Sequence, residues 1–227
     1  NRAYGLWIMK NLRRSTLVGG PLRICLLIAL TLIACPSPSS FAAATAVVPD
    51  ERDRRVLETL LLHLLGDSEF DMTRASTNGA VIVLHTRTPQ KTGFLQAQQM
   101  RSDIGGHTLP DDAERDLRKR NSNPFAKPDT YEAVESSFAN FKFRAGIVVA
   151  DLTATWSKPG SFRAFEEAQP KALGWVEAYL PGYSEDGSVA IIRAGVGPSP
   201  HGAMVTALLK KKGDKWIVKW HYIARYA

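Results

Sequence analysis

From residue 143 to residue 223 the chain alternates short runs of β-forming residues with turn residues, and this punctuation limits the fold more than any other feature. The runs cover 143–152, 173–180, 189–194, 203–209 and 216–223. Glu185-Asp186-Gly187 and Lys212-Gly213-Asp214 supply hairpin turns between neighbours. The last four runs, joined by short links, predict an antiparallel meander. In the last of them strict alternation puts Trp216, Val218, Trp220 and Tyr222 on one face as core, and Ile217, Lys219, His221 and Ile223 on the other, with His221 at the surface.

Helical signals dominate the first half. Asp50 reads as an N-cap with Asp53 three residues on, and Val56, Leu57, Leu60, Leu61, Leu64 and Leu65 recur at helical spacing until Gly66. A short apolar run over 80–86, after Asn78-Gly79, reads as a buried strand. Further helices are expected over 94–103, from Pro110 to Arg120 with acids first and bases last, over 131–141, and near 161–168. The expected fold is α+β: N-terminal helices packed on one face of a mainly antiparallel C-terminal sheet, joined by the 80–86 strand, in a single domain over 50–227. The order of elements is that of cone-shaped nuclear-transport-factor-like or cystatin-like modules.

Ahead of this domain stands a segment with the pattern of a signal peptide. Met9-Lys10-Asn11-Leu12-Arg13-Arg14 forms a basic n-region and a plausible true start. The apolar run over 24–34 follows, bounded by Arg23 and Pro36. About 11 helical residues, at roughly 1.5 Å each, fall well short of a ~30 Å hydrocarbon core. An h-region fits them instead. Leu32-Ile33-Ala34-Cys35 matches the bacterial lipobox, which would make Cys35 the lipidated first residue of the mature protein. Ala42-Ala43-Ala44 or Ala44-Thr45-Ala46 offers ordinary cleavage after a rather long c-region. The lipobox is preferred for its place directly after the h-region, giving a leader over 1–35 and a Ser/Pro/Ala-rich tether over 36–49. Both cysteines, Cys25 and Cys35, belong to the leader, so the domain is expected to fold without disulfides and to lack thiol chemistry.

The charge pattern argues against a nucleic-acid partner. Of the 29 Lys and Arg, five (Arg2, Lys10, Arg13, Arg14 and Arg23) lie in the leader, and the other 24 face 22 Asp and Glu. That balance lacks the clustered cations of a phosphate-tracking surface.

Chemistry is sparse. None of His63, His85, His107, His201 and His221 stands in H-x-H or H-E-x-x-H spacing, so a metal site would have to be assembled from distant segments. No metal and no cofactor is assigned. His63 and His85 read as core or boundary residues, His107 as exposed. His201, in the stiffened loop from Gly195 to Gly202 with Ser199 two residues away, is the one candidate base or ligand contact.

Phe165, Pro170, Gly174, the stretch Gly182-Tyr183-Ser184-Glu185-Asp186-Gly187-Ser188-Val189-Ala190, the glycine-rich loop and Gly213-Asp214-Lys215-Trp216 resemble the C-terminal region of uncharacterised bacterial secreted proteins and lipoproteins. The resemblance covers about 60 residues. Gln169-Pro170 replaces a Tyr-Pro, and His201 stands in a loop that often holds cysteines. It implies export and no particular activity. The expected function is a non-enzymatic binding module of the cell envelope, periplasmic or anchored through Cys35, taking a protein, glycan or small molecule. A secreted hydrolase with His201 as base in a pocket between sheet and helices is the alternative.

Overall fold

The computed structural model describes residues 47–67, 79–89, 93–122, 136–157, 161–197 and 203–225, all within one compact unit. Helix α1 (Glu51–Leu65) begins at Asp50, whose carboxylate accepts the N–H groups of Arg52 and Asp53, while the Asp53 carboxylate accepts the N–H of Asp50 at 2.9 Å. This reciprocal cap satisfies donors that the helix itself cannot. After β1 (Val81–His85) come a 3-10 turn (Gly93–Leu95), α2 (Ala97–Ser102) and α3 (Asp111–Asn121). Then follow β2 (Ile147–Ala150), α4 (Thr153–Trp156), α5 (Ser161–Ala168), β3 (Ala172–Ala178), β4 (Gly182–Tyr183), β5 (Val189–Gly197), β6 (Ala203–Lys212) and β7 (Lys215–Arg225). No helix among the described residues is long and apolar enough to cross a bilayer.

Among the described residues seven strands form one mixed sheet in the order β2-β1-β3-β5-β6-β7, with β4 pairing β5 beyond the end of β3. The expected meander is present: β3 and β4, β5, β6 and β7 pair antiparallel in succession. β1 and β2 add a parallel flank. Buried on both sides, β1 directs Ile82 and Leu84 into one core layer and Val83 into the other, which explains its unbroken apolar run.

Three sequence expectations need correction. The helices do not share one face. α1 packs Val56, Leu57, Leu60, Leu61 and Leu64 against one side of the sheet. On the opposite side α2 and α3 bury Met100, Ala113 and Leu117 beside Ile191 and Met204, and Phe165 of α5 packs with Val83 and Ala172. A sheet sandwiched in this way is not the one-sided cone that the element order suggested, because alternating strands with apolar residues on both faces require two covers. Residues 136–141 form a β-bridge followed by a turn rather than a helix: Ser137 bridges Arg87, the Phe141 N–H donates to the carbonyl of Phe138, and Phe138 is fully buried. The rest of the expected 131–141 helix lies outside the described residues.

The third correction concerns β7. Leu209 faces Val218 but Leu208 faces Trp220, so Lys219 is an extra residue with no partner across the ladder. This β-bulge reverses the alternation. Trp216, Val218 and Ile223 face α1, whereas Trp220 lies on the side of α2 and α3 and Tyr222 covers Gly105 there.

α3 also seals the short β4 segment. Asn121 donates to the carbonyl of Leu180 and accepts its N–H, Asp116 accepts the N–H of Tyr183, and Asp112 that of Glu185. One helix face thus acts as a surrogate strand. Gly182 permits the approach, since a β-carbon there would strike the backbone of Ala113 and Leu117. A fully buried carboxylate, Asp53, receives both Nη atoms of Arg120 at 2.8 and 2.9 Å and the hydroxyl of Tyr183 at 2.7 Å, tying α1 to α3 and β4. Burial first, and then the Asp53 charge, push the Tyr183 phenol far above its ordinary range, so it acts as a donor at neutral pH.

Candidate functional site

The inverted β7 builds an open groove on the α3 side of the sheet. Leu208 and Trp220, directly opposite each other on β6 and β7, form its floor with Leu109 and Pro110, and Thr108, Lys210 and Lys219 stand around it. The groove encloses about 470 Å³, and none of these lining residues is acidic. Trp220 is held by His107, whose ring stacks on the indole at 4.5 Å with 9° between the planes. The expectation that Trp220 is a core anchor therefore fails. Its neighbour Trp216 is the buried one, only 7% exposed. Ile217 and Tyr222 extend the apolar stripe along the edge strand at 41% and 38% exposure.

His107 reaches Trp220 because the loop before α3 is anchored from beneath. Gly105 takes a positive φ of 57° and packs so tightly on Tyr222 that a β-carbon would overlap the ring. Two residues earlier, Asp103 accepts a 2.7 Å hydrogen bond from Nη2 of Arg193, a side chain wholly inside the molecule. The Nε and Nη1 of Arg193 and the hydroxyl of Thr206 across the ladder find no acceptor or donor among the described residues. Burial also lifts the Tyr179 phenol well above its ordinary range.

The histidines separate clearly. His85 is a satisfied core residue as expected: its Nδ1 accepts the N–H of Leu152 at 3.0 Å. His63 and His221, 158 residues apart, come together on the other side of the sheet, with His63 Nε2 3.1 Å from His221 Nδ1. His221 Nε2 lies 2.8 Å from Oδ2 of Asp67. The expectation of a surface His221 beside Lys219 is thus corrected: the bulge turns it toward α1, where it is half-buried. Burial, and then the neighbouring His221, draw the His63 imidazole below its ordinary value.

A second groove, between α1 and the β6–β7 turn, is lined by Arg54, Arg55, Glu58, Arg144 and Lys215. Its cations are largely committed: Arg54 and Arg55 both hold Glu51, and Arg54 and Arg144 both reach Glu58.

Ser199 and His201, the expected candidates for a binding or catalytic loop, and Cys35, the expected lipidation residue, lie outside the described residues. Sequence reasoning missed the Trp220 groove and the His63–His221 meeting for one reason. Both depend on the extra residue at Lys219, which leaves no mark in the alternation of residue types.

These features define an α+β domain, a mainly antiparallel sheet with helices on both faces, carrying an aromatic, cation-rimmed groove at the edge of the sheet. Comparison of the chain with protein-family models, with curated proteins and with solved structures found no match in any of the three.

Proposed function

We propose that this chain is an exported cell-envelope protein whose domain binds, without turning over, an anionic glycan unit in the groove formed by residues 108–110, β6 and β7. The carrying observation is Trp220, displaced by the bulge to the groove floor and braced by His107, with Lys210 and Lys219 beside it. A sugar ring presents an apolar face that packs on an indole, and an acidic substituent pairs with lysine at a partly desolvated rim. The Met9 to Ala34 leader pattern supports delivery to the envelope, and Cys35, if acylated, would tether the domain to a membrane.

Titration of the mature protein with a tri-uronate oligosaccharide, followed by tryptophan fluorescence and calorimetry, tests the reading. Binding is expected for the acidic oligosaccharide and not for a neutral one of equal length. Trp220→Ala should abolish it, and Lys210→Ala with Lys219→Ala should weaken it by about tenfold or more, which corresponds to about 1.4 kcal/mol. Failure of the wild type to bind, or binding that ignores these substitutions, would overturn the proposal.

A further inference from the structure

We propose that His63, Asp67 and His221 form a binding site for a divalent transition-metal ion of the zinc type, with the two imidazoles as ligands and Asp67 as the residue that orients His221. The site stands on the opposite side of the sheet from the Trp220 groove and does not depend on it.

Two elements and the segment that follows the first converge on the site. His63 lies in the last turn of α1, Asp67 follows that helix directly, and His221 comes from β7. The bulge at Lys219 is what brings the third member in: with residues 216–223 in unbroken alternation, His221 would point to the other face of the sheet, away from α1.

The two ring nitrogens that face each other, His63 Nε2 and His221 Nδ1, are 3.1 Å apart. Two nitrogens at that separation, each about 2.0–2.1 Å from a shared ion, subtend roughly 100° at the metal, within the span of tetrahedral and octahedral coordination. One ligand-capable atom from each of the three residues lies within 4.8 Å of those of the other two.

The contact between Asp67 and His221 distinguishes this arrangement from two histidines that merely touch. With Asp67 Oδ2 2.8 Å from Nε2, the His221 ring places its proton on Nε2 and donates it to the carboxylate. Its Nδ1 lone pair is thereby turned toward His63. A ligating histidine commonly donates its other N–H to a carboxylate in this way, which fixes the tautomer and raises the basicity of the ligating nitrogen. The only rearrangement required is that His63 carry its proton on Nδ1, leaving Nε2 free to ligate; no net proton is gained or lost in this change of tautomer.

Two protein nitrogens leave the remaining coordination positions to water or to a group from outside. His63 is exposed, so an ion can enter from solvent. Imidazole donors select zinc, copper and nickel over magnesium and calcium, which prefer all-oxygen shells.

The test is calorimetric titration of the chelator-stripped full chain with zinc sulfate alone, with circular dichroism confirming that each variant is folded. One zinc per chain is expected at micromolar affinity, and no heat from magnesium chloride. His63→Ala and His221→Ala should each lower the affinity by at least a hundredfold. Asp67→Asn, which keeps the shape but accepts the His221 proton less well, should lower it by about tenfold. Cobalt substitution gives a second readout: visible d–d bands should appear with wild type, shift in Asp67→Asn and vanish in His63→Ala. A wild type that binds no zinc, or that binds it equally well without His63, would show that the trio is only a hydrogen-bonded chain. Because His63→Ala leaves the groove intact, loss of zinc with glycan binding retained separates this proposal from the preceding one.

Discussion

At the scale of single residues, the fold depends on buried polar groups whose partners come from distant segments. Asp53 is fully buried and meets Arg120 through two parallel hydrogen bonds, with Tyr183 as a third donor. Removing one partner of such a pair strands the other charge away from water, at a cost of about 3–5 kcal/mol. Asp53→Ala should therefore lower the unfolding free energy by that amount. Tyr183→Phe deletes one hydrogen bond and keeps the ring that packs beside Trp216 and beneath Arg52, so it should cost only about 1–2 kcal/mol. Urea denaturation of the two variants measures the difference, and equal costs would mean that the ion pair contributes nothing beyond the phenol. The capping role of Asp53 was legible in the sequence from its spacing to Asp50. Its pairing with Arg120 was not, because 67 residues separate the partners and no local pattern joins them.

The decisive element is β7. Its turn and its pairing with β6 follow from Lys212-Gly213-Asp214 and the β-forming run behind it, and the structure agrees, with the strand extended from the expected 216–223 to Lys215–Arg225. Its faces do not follow. Alternation predicts a four-residue aromatic core stripe, whereas the bulge divides that stripe between two layers. Deletion of Lys219 should close the ladder, with Trp220 opposite Leu208 directly after Val218 opposite Leu209, and so keep every remaining side chain of β7 on its present face. The deletion and Lys219→Ala should therefore both stay within about 1 kcal/mol of wild type. Chemical denaturation of both variants tests this, and a deletion variant destabilised by several kcal/mol would mean that the extra residue is itself needed to shape β7. The α3 segment shows the opposite case. Its acids-first, bases-last order predicted the helix, and one of those first acids, Asp112, holds the edge of residues 183–185 together with Asp116 a turn further on.

At the scale of the whole domain, the described residues form a mixed seven-stranded sheet covered by α1 on one side and by α2, α3 and α5 on the other. If the leader is removed as its pattern predicts, mass analysis of protein from an envelope fraction should show a chain beginning at an acylated Cys35 or after Ala44 or Ala46. Recovery of uncleaved protein from the cytoplasm would sink that expectation. With both cysteines assigned to the leader, the unfolding midpoint should not move when dithiothreitol is added, and a marked shift would contradict the assignment. The sequence by itself determined the α+β class, the cap and apolar stripe of α1, the meander and its turns, and the buried β1. Each of these is written in spacings of a few residues, where backbone geometry links side-chain type to local conformation. Only the tertiary structure decided that the helices divide between two faces, that Asp53 reaches Arg120, and that one unpaired residue sends Trp220 to a groove and His221 to His63. Those outcomes depend on how separate elements compete to bury the same surfaces. A one-residue change of register alters which side chains are covered while leaving the local pattern unchanged.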